Sequence, residues 1–242
     1  MTDQPAAQAD APAERTQRPP IRQLLQVMAS FLWAIGTLFV GAGRLDWVRG
    51  WIAVGLWAVG MTTIGSIAGH YNAPLMKERA KWRRKDTKHF DKVFLVLYLP
   101  LVLAQPAVAG LDAARFRWSA MPFEFVYLGA FLFAIAMLLI GWVLAINPFA
   151  ETSVRIQTDR GQTVITSGPY KVVRHPMYVG AIFMYLGTPL VWGSIWALAL
   201  GGLMTLLLVW RTGREDQTLR QELAGYEDYT ARTRYRLLPG VW

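Results

Sequence analysis

Two short strings toward the C-terminal end concentrate residue types that can hold a charged ligand. The first is Gly168-Pro169-Tyr170-Lys171-Val172-Val173-Arg174-His175-Pro176-Met177-Tyr178-Val179-Gly180. Pro176 suits the first turn of a helix, where its missing N–H is no loss, so His175 falls at or near the N-cap and Tyr178 one turn in. Free N–H groups and a partial positive charge at such a helix start attract a carboxylate or phosphate. A plainer reading has His175 merely capping the helix while Arg174 stretches toward lipid headgroups. The second string is Trp210-Arg211-Thr212-Gly213-Arg214-Glu215-Asp216-Gln217-Thr218-Leu219. Arg211 and Glu215 lie four apart and share a helix face, which fits an ion pair worth a few tenths of a kcal/mol. It equally fits a divided site, with Glu215 facing a cation or ribose hydroxyls and Arg211 facing an anion.

A third string, residues 223–242, spaces Tyr226, Tyr229 and Arg232 every three residues. That is one face of a helix, either a lid over a pocket or an interfacial aromatic belt. Other chemistries are excluded. The absence of cysteine removes disulfides, thiolate metal sites, iron–sulfur clusters and thiol nucleophiles. Three histidines (His70, His89, His175) do not make a metal centre, and no metal is expected. There is no GxGxxG after a strand, Walker loop, HExxH or GxSxG.

The elements that must position these strings are membrane helices. Of 242 residues 54% are apolar and 17% charged, against about 25% charged in a soluble chain. Apolar runs occupy 24–43, 47–69, 93–111 (interrupted by Pro100 and Pro106), 122–146 and 177–210. The last is too long for one span of about 20 residues. Gly187-Thr188-Pro189 and Gly193-Ser194 divide it into a tight hairpin. No run alternates with period two, so a barrel is excluded. The expected fold is an all-α polytopic membrane protein with four spans, a C-terminal helical hairpin and a cytoplasmic C-terminal helix. Its parts are a disordered polar leader (1–21), a four-span region (22–146) and a catalytic region (147–242). A hairpin sets the start of its first helix beside the end of its second, so His175 and Tyr178 should neighbour Arg211 and Glu215. Polar groups converging at a membrane boundary point to a site.

The net charge of +9 follows the same topology. The leader, the loops 70–92 and 147–176 and the tail from 211 hold 21 of the 25 lysines and arginines, which places both termini in the cytoplasm. Anionic lipid accounts for that surplus, so no nucleic-acid partner is expected. Loop 70–92, with Asn72, Leu75, Glu78 and Arg79 at helical spacing and then Lys81, Arg83, Arg84 and Lys85, reads as a solvated, lipid-contacting face. The leader is long for a signal-peptide n-region and the first run is span-length, so that run is expected to be retained.

Taken together, GPYKVVRHPMYVG at 168–180, R-x-x-x-E-D-x-x-L at 211–219 and GYEDYTARTRYRLLPGVW at 225–242 resemble the isoprenylcysteine carboxyl methyltransferase family and its membrane phospholipid-methyltransferase relatives. The resemblance covers the C-terminal part of the chain; the N-terminal spans agree only in kind. It implies methyl transfer from S-adenosyl-L-methionine to a lipid or lipidated acceptor arriving from the bilayer. It further implies that Gln162, Thr163, Val164, Ile165, Tyr170, His175, Pro176, Met177, Tyr178 and Glu215 bind the cofactor and that Arg211 meets the acceptor. Arg211 and His175 are then the candidates for catalysis. A carboxylate acceptor would need only orientation by Arg211, whereas an amine or thiol would need a base, His175 or Glu215. Two departures stand out: Met177 stands where the family often has a small residue, and 151–163 matches loosely; Asp216 in the second acidic position keeps the charge and is a mild change. Leader and compact size suit a bacterial inner membrane. The competing readings are an NADPH-dependent sterol-reductase-like enzyme and a non-catalytic scaffold packing through Gly65 and Gly69.

Overall fold

The computed structural model describes residues 21–81 and 86–242. The expected leader through residue 20, and Arg83, Arg84 and Lys85, lie outside the described residues. Most of the described chain is helical, with α1 (Ile21–Ala42), α2 (Val48–Tyr71), α3 (Ala73–Arg79), α4 (His89–Ala109), α5 (Phe125–Ile146), α6 (Pro176–Trp192), α7 (Ile195–Glu222) and α8 (Tyr226–Arg232). Among the described residues, α1, α2, α4, α5 and α7 are long and apolar enough to cross a bilayer. Val40 (76% exposed), Val96 (72%) and Leu138 (73%) point outward, as lipid-facing side chains do. The chain is an all-α, multi-pass integral membrane protein.

Pro100 and Pro106 do not interrupt α4, which runs straight through both and ends in a π-helical turn, Gly110–Phe116. Each proline deletes one backbone donor, a loss that neighbouring helices make tolerable in a membrane. Only the second of the two expected breaks in the last apolar run is real. Gly193 turns into the left-handed region at φ 77°, and the Ser194 hydroxyl caps α7 by accepting from the Ala197 N–H at 3.0 Å. Gly187 instead allows close approach. A Cβ there would lie 2.9 Å from the Gly129 carbonyl oxygen, and one on Gly129 would lie 2.6 Å from that of Gly187. These contacts seal α5 against α6.

The hairpin is the centre of the bundle: α6 packs on α5, α7 on α4, α2 on α5 and α1 on α4. The apolar core at the hairpin-turn end includes Leu38, Phe39, Ala53, Ala109, Val191, Trp192 and Ala197. At this end the buried Asp112 carboxylate accepts from Ser119 Oγ (2.6 Å), Ser194 Oγ (2.5 Å) and the Trp196 N–H (3.3 Å). Between the two ends, every seventh position of α4 and its π-turn bears a polar group pointing into the bundle. Asp91 meets Arg211, Tyr98 shares a hydrogen bond with Tyr185 (2.5 Å), Gln105 donates to the Ala197 carbonyl (3.0 Å), and Asp112 holds the hairpin turn.

In loop 70–92 Lys81 is exposed, but Asn72, Leu75 and Arg79 do not belong to the solvated face that the charge suggests. Leu75 is fully buried, Asn72 donates to the carbonyls of Leu144 (3.0 Å) and Asn147 (3.1 Å), and Arg79 donates to that of Ala150 (2.5 Å). Their hydrogen-bonding ends satisfy carbonyls at and beyond the C-terminus of α5. Burial pushes the Arg79 guanidinium below its ordinary pKa. Among the described residues, no atom lies within 4 Å of where a Cβ on Gly65 or Gly69 would sit, so neither glycine makes a close helix contact there.

Candidate active site

With 17 residues, α6 is about 26 Å long, short of a hydrocarbon core of about 30 Å, whereas the 28 residues of α7 extend about 42 Å. The start of α6 is therefore recessed beside the side of α7, and a cleft forms between them. Tyr178, one turn into α6, donates its hydroxyl to Glu215 Oε2 on α7. The His175 and Tyr178 rings stack at 5.6 Å with a 6° interplanar angle. The Arg211 guanidinium carbon lies 5.3 Å from the Tyr178 ring centroid and 4.7 Å from that of Phe94. Its Nε donates to Asp91 Oδ1 at 2.7 Å and its Nη2 to the Thr152 carbonyl at 2.9 Å. Arg211 thus pairs with the carboxylate of Asp91 on α4 and not with Glu215, which instead accepts from Tyr178 on α6.

The chain between α5 and α6 makes a second wall. Asn147 donates to the Tyr170 hydroxyl at 2.6 Å, and the Gln162 side-chain oxygen accepts from the Gln157 N–H at 2.7 Å. Gln157 in turn donates to the Phe149 carbonyl at 2.7 Å. Arg155 gathers Glu151 (2.9 Å), Asp159 (2.7 Å) and Asp86 (3.0 Å), and these carboxylates push its pKa above the ordinary arginine value. Side chains bound to one another in this way, around the buried Arg155, Glu151 and Gln157, hold an irregular segment in one shape.

The tail closes the third side. Asp216, fully buried, accepts from Arg174 Nε (2.7 Å) and Nη2 (3.1 Å), Arg236 Nε (2.9 Å), Arg220 Nε (3.3 Å) and the Tyr226 hydroxyl (3.0 Å). His175 Nε2 is 3.4 Å away. Arg174 also donates to the carbonyls of Thr233 and Arg234, so it is a buried anchor for the tail and does not reach lipid headgroups. Tyr229 donates to the Tyr170 carbonyl at 2.7 Å. Tyr226 and Tyr229 are buried, which makes this segment a lid and not an aromatic belt; Arg232 stays exposed. Burial pushes the Tyr229 hydroxyl up to about 12, and burial with the neighbouring Asp216 lifts Tyr226 further. Both stay neutral at physiological pH.

The cleft holds about 860 Å³ of space between its atoms, counting its open mouth. Its walls include Gln162, Thr163, Val164, Ile165, Tyr170, His175, Met177, Tyr178, Arg211 and Glu215, ten of the residues singled out by sequence. Pro176 is not in the wall; it is buried where it starts α6. The anion-holding power expected of that helix start is also small. The His175 N–H donates to the Arg236 carbonyl, and those of Tyr178 and Val179 donate to the His175 carbonyl, which leaves the N–H of Met177. Asp91, Asn147, Glu151, Arg155 and the anchoring role of Asp216 escaped the sequence reading. Asp91 alone left a trace, as a carboxylate at the head of an apolar run in the most basic loop.

Fold and site together define a helical membrane protein with a polar, aromatic-lined pocket at one end of its bundle. Residues 125–224 match the family model for phospholipid methyltransferase. That range runs from α5 to the end of α7, and it excludes Asp91 and α8. Over 90 residues the chain is 33% identical to Delta(14)-sterol reductase TM7SF2 of Mus musculus, which covers 36% of this chain. The match spans 22% of that relative's length.

Proposed function

We propose that the chain is an S-adenosyl-L-methionine-dependent methyltransferase of the isoprenylcysteine carboxyl methyltransferase kind, acting on a lipophilic acceptor. The observation that carries this reading is the convergence of Tyr178–Glu215 and Asp91–Arg211 on one cleft at the end of a membrane hairpin. The match of residues 125–224 to phospholipid methyltransferase supports it. The cleft has the donor set such a cofactor needs. Glu215 can accept from an amino group or ribose, Gln162 and Thr163 offer polar contacts, Val164 and Ile165 an apolar surface, and Tyr170 an aromatic ring that suits a cation. The bound cofactor supplies an electrophilic methyl group on a sulfonium.

Methyl transfer is an in-line displacement, so the protein's work is alignment and exclusion of water. The lid of Tyr226 and Tyr229 excludes water, and Arg211 orients the acceptor. His175, stacked on Tyr178 and close to Asp216, serves as a base where the acceptor carries a proton. The close packing of α5 on α6 argues against entry of the acceptor between those two helices. The acceptor instead comes from the bilayer between α4 and α6, past the half-buried Tyr98, Leu101 and Ile182, which lie against the floor of Met204 and Leu208. Both termini then face the cytoplasm, from which the cofactor comes.

The identity to the sterol reductase favours a second reading, an NADPH-dependent reductase. Calorimetric titration of detergent-purified protein separates the two. S-adenosyl-L-methionine should bind and NADPH should not; tight NADPH binding reverses the assignment. Transfer of a radiolabelled methyl group into total membrane lipid, with mass identification of the product, then names the acceptor.

A further inference from the structure

Arg211 is held along one edge only. Its Nε goes to Asp91 Oδ1 (2.7 Å) and its Nη2 to the Thr152 carbonyl (2.9 Å). The other carboxylate oxygen of Asp91 accepts from the N–H of Val154 at 2.8 Å, and the Val154 carbonyl accepts from the Lys88 N–H at 3.0 Å. Asp91, Arg211 and the 152–154 backbone therefore close a ring of hydrogen bonds that joins the head of α4, the side of α7 and the pocket wall. The guanidinium carbon also lies over the Phe94 ring of α4 and the Tyr178 ring of α6. The remaining nitrogen, Nη1, takes part in none of these bonds. A planar cation held along its Nε–Nη2 edge and packed on two rings keeps its Nη1 end for donation to another group. Asp91 is fully buried, so its charge is little screened by water, and the cation it pairs with is Arg211.

Resting on the methyltransferase reading, we infer that Asp91 is a positioning residue: it sets the plane of Arg211 so that Nη1 is aimed at the acceptor. It also cancels the charge of Arg211, so that what the acceptor meets is an oriented donor and not a free cation. Asp91 lies outside the matched range 125–224, so this part of the proposed active site is contributed by the N-terminal spans.

Asp91→Asn keeps the size of the side chain and removes its charge. In detergent-purified protein it should bind S-adenosyl-L-methionine as wild type does, while kcat with the lipid acceptor falls roughly 10²-fold, the cost of a misplacement of about 1 Å. In an Arg211→Lys background, which already lacks the planar fork, the same change should cost almost nothing more. Wild-type turnover by Asp91→Asn overturns the proposal, as does a penalty that adds fully to that of Arg211→Lys. A joint loss of cofactor affinity and turnover would mark Asp91 as merely structural. A second measurement is independent of catalysis. The Nε–H resonance of Arg211, assigned by its absence in Arg211→Lys, should resist solvent exchange in wild type and lose that protection in Asp91→Asn. Wild-type protein that binds no S-adenosyl-L-methionine overturns the methyltransferase reading, and proton exchange then decides the clamp alone.

Discussion

Glu215 and Asp216 are adjacent on α7 and about 100° apart around its axis, and that angle separates two jobs. Glu215 faces the cleft and Tyr178, while Asp216 faces the tail and three arginines. Glu215→Gln should therefore lower S-adenosyl-L-methionine affinity by roughly 10²-fold, the scale of one charge-assisted contact. Arg211→Ala should leave that affinity intact and abolish acceptor methylation, as titration and label transfer would show. Full turnover in both variants would refute the assignment. Asp216→Ala should instead lower stability by about 3–5 kcal/mol, because the buried Arg174 guanidinium loses its counter-charge. Thermal unfolding and earlier proteolysis after Leu223 would report it. Sequence made Glu215 legible by its spacing from Arg211. It left Asp216 as a mild variation, because its partners Arg174 and Arg236 lie 42 and 20 residues away and only the folded tail assembles them.

Among the elements, the hairpin was readable and its details were not. A run too long for one span had to turn, yet both Gly187-Thr188-Pro189 and Gly193-Ser194 could have turned it. The deciding factor was the partner helix: Gly129 on α5 needs Gly187 to stay helical for close contact, so the bend fell at Gly193. A Cβ at Gly193 would meet Arg49 Nη1 at 1.9 Å on a backbone already at φ 77°. Gly193→Ala should therefore destabilise by about 1–3 kcal/mol, whereas Gly202→Ala, with open space around it, should not. Thermal unfolding of the two variants in one detergent makes the comparison. The charge of loop 70–92 misled for a similar reason. Composition registers cations but not the carbonyls at the end of α5 that Asn72 and Arg79 were placed to satisfy.

At the scale of the whole molecule, the lid couples the tail to the cleft, and it does so through neutral tyrosines. Tyr229 is raised above its ordinary value of 10.0 to about 12 by burial, so the stability it contributes is complete below pH 10 and is lost as pH rises through about 12. Tyrosinate absorbance and tail proteolysis should change together across that window. Release of the tail below pH 10, or persistence well beyond 12, would show that another group controls closure. The membrane class, the number of spans and the pairing of the two helix ends were legible because hydropathy and loop length act locally. The Asp91–Arg211 pair was not, since 120 residues separate its members and the helices that bring them together are chosen by packing.

The spacing of the inward groups on α4 has a consequence for how that helix can vary. Asp91, Tyr98, Gln105 and Asp112 recur at a heptad interval, and each has its own counterpart on the hairpin or its turn. Adding or deleting one amino acid between Tyr98 and Gln105 would rotate everything downstream by about 100°. Two polar side chains would then face hydrocarbon while the groups they had matched were stranded. Substitutions as drastic as Pro100 and Pro106 leave the count unchanged and are tolerated in place. On this helix, length is constrained more tightly than composition.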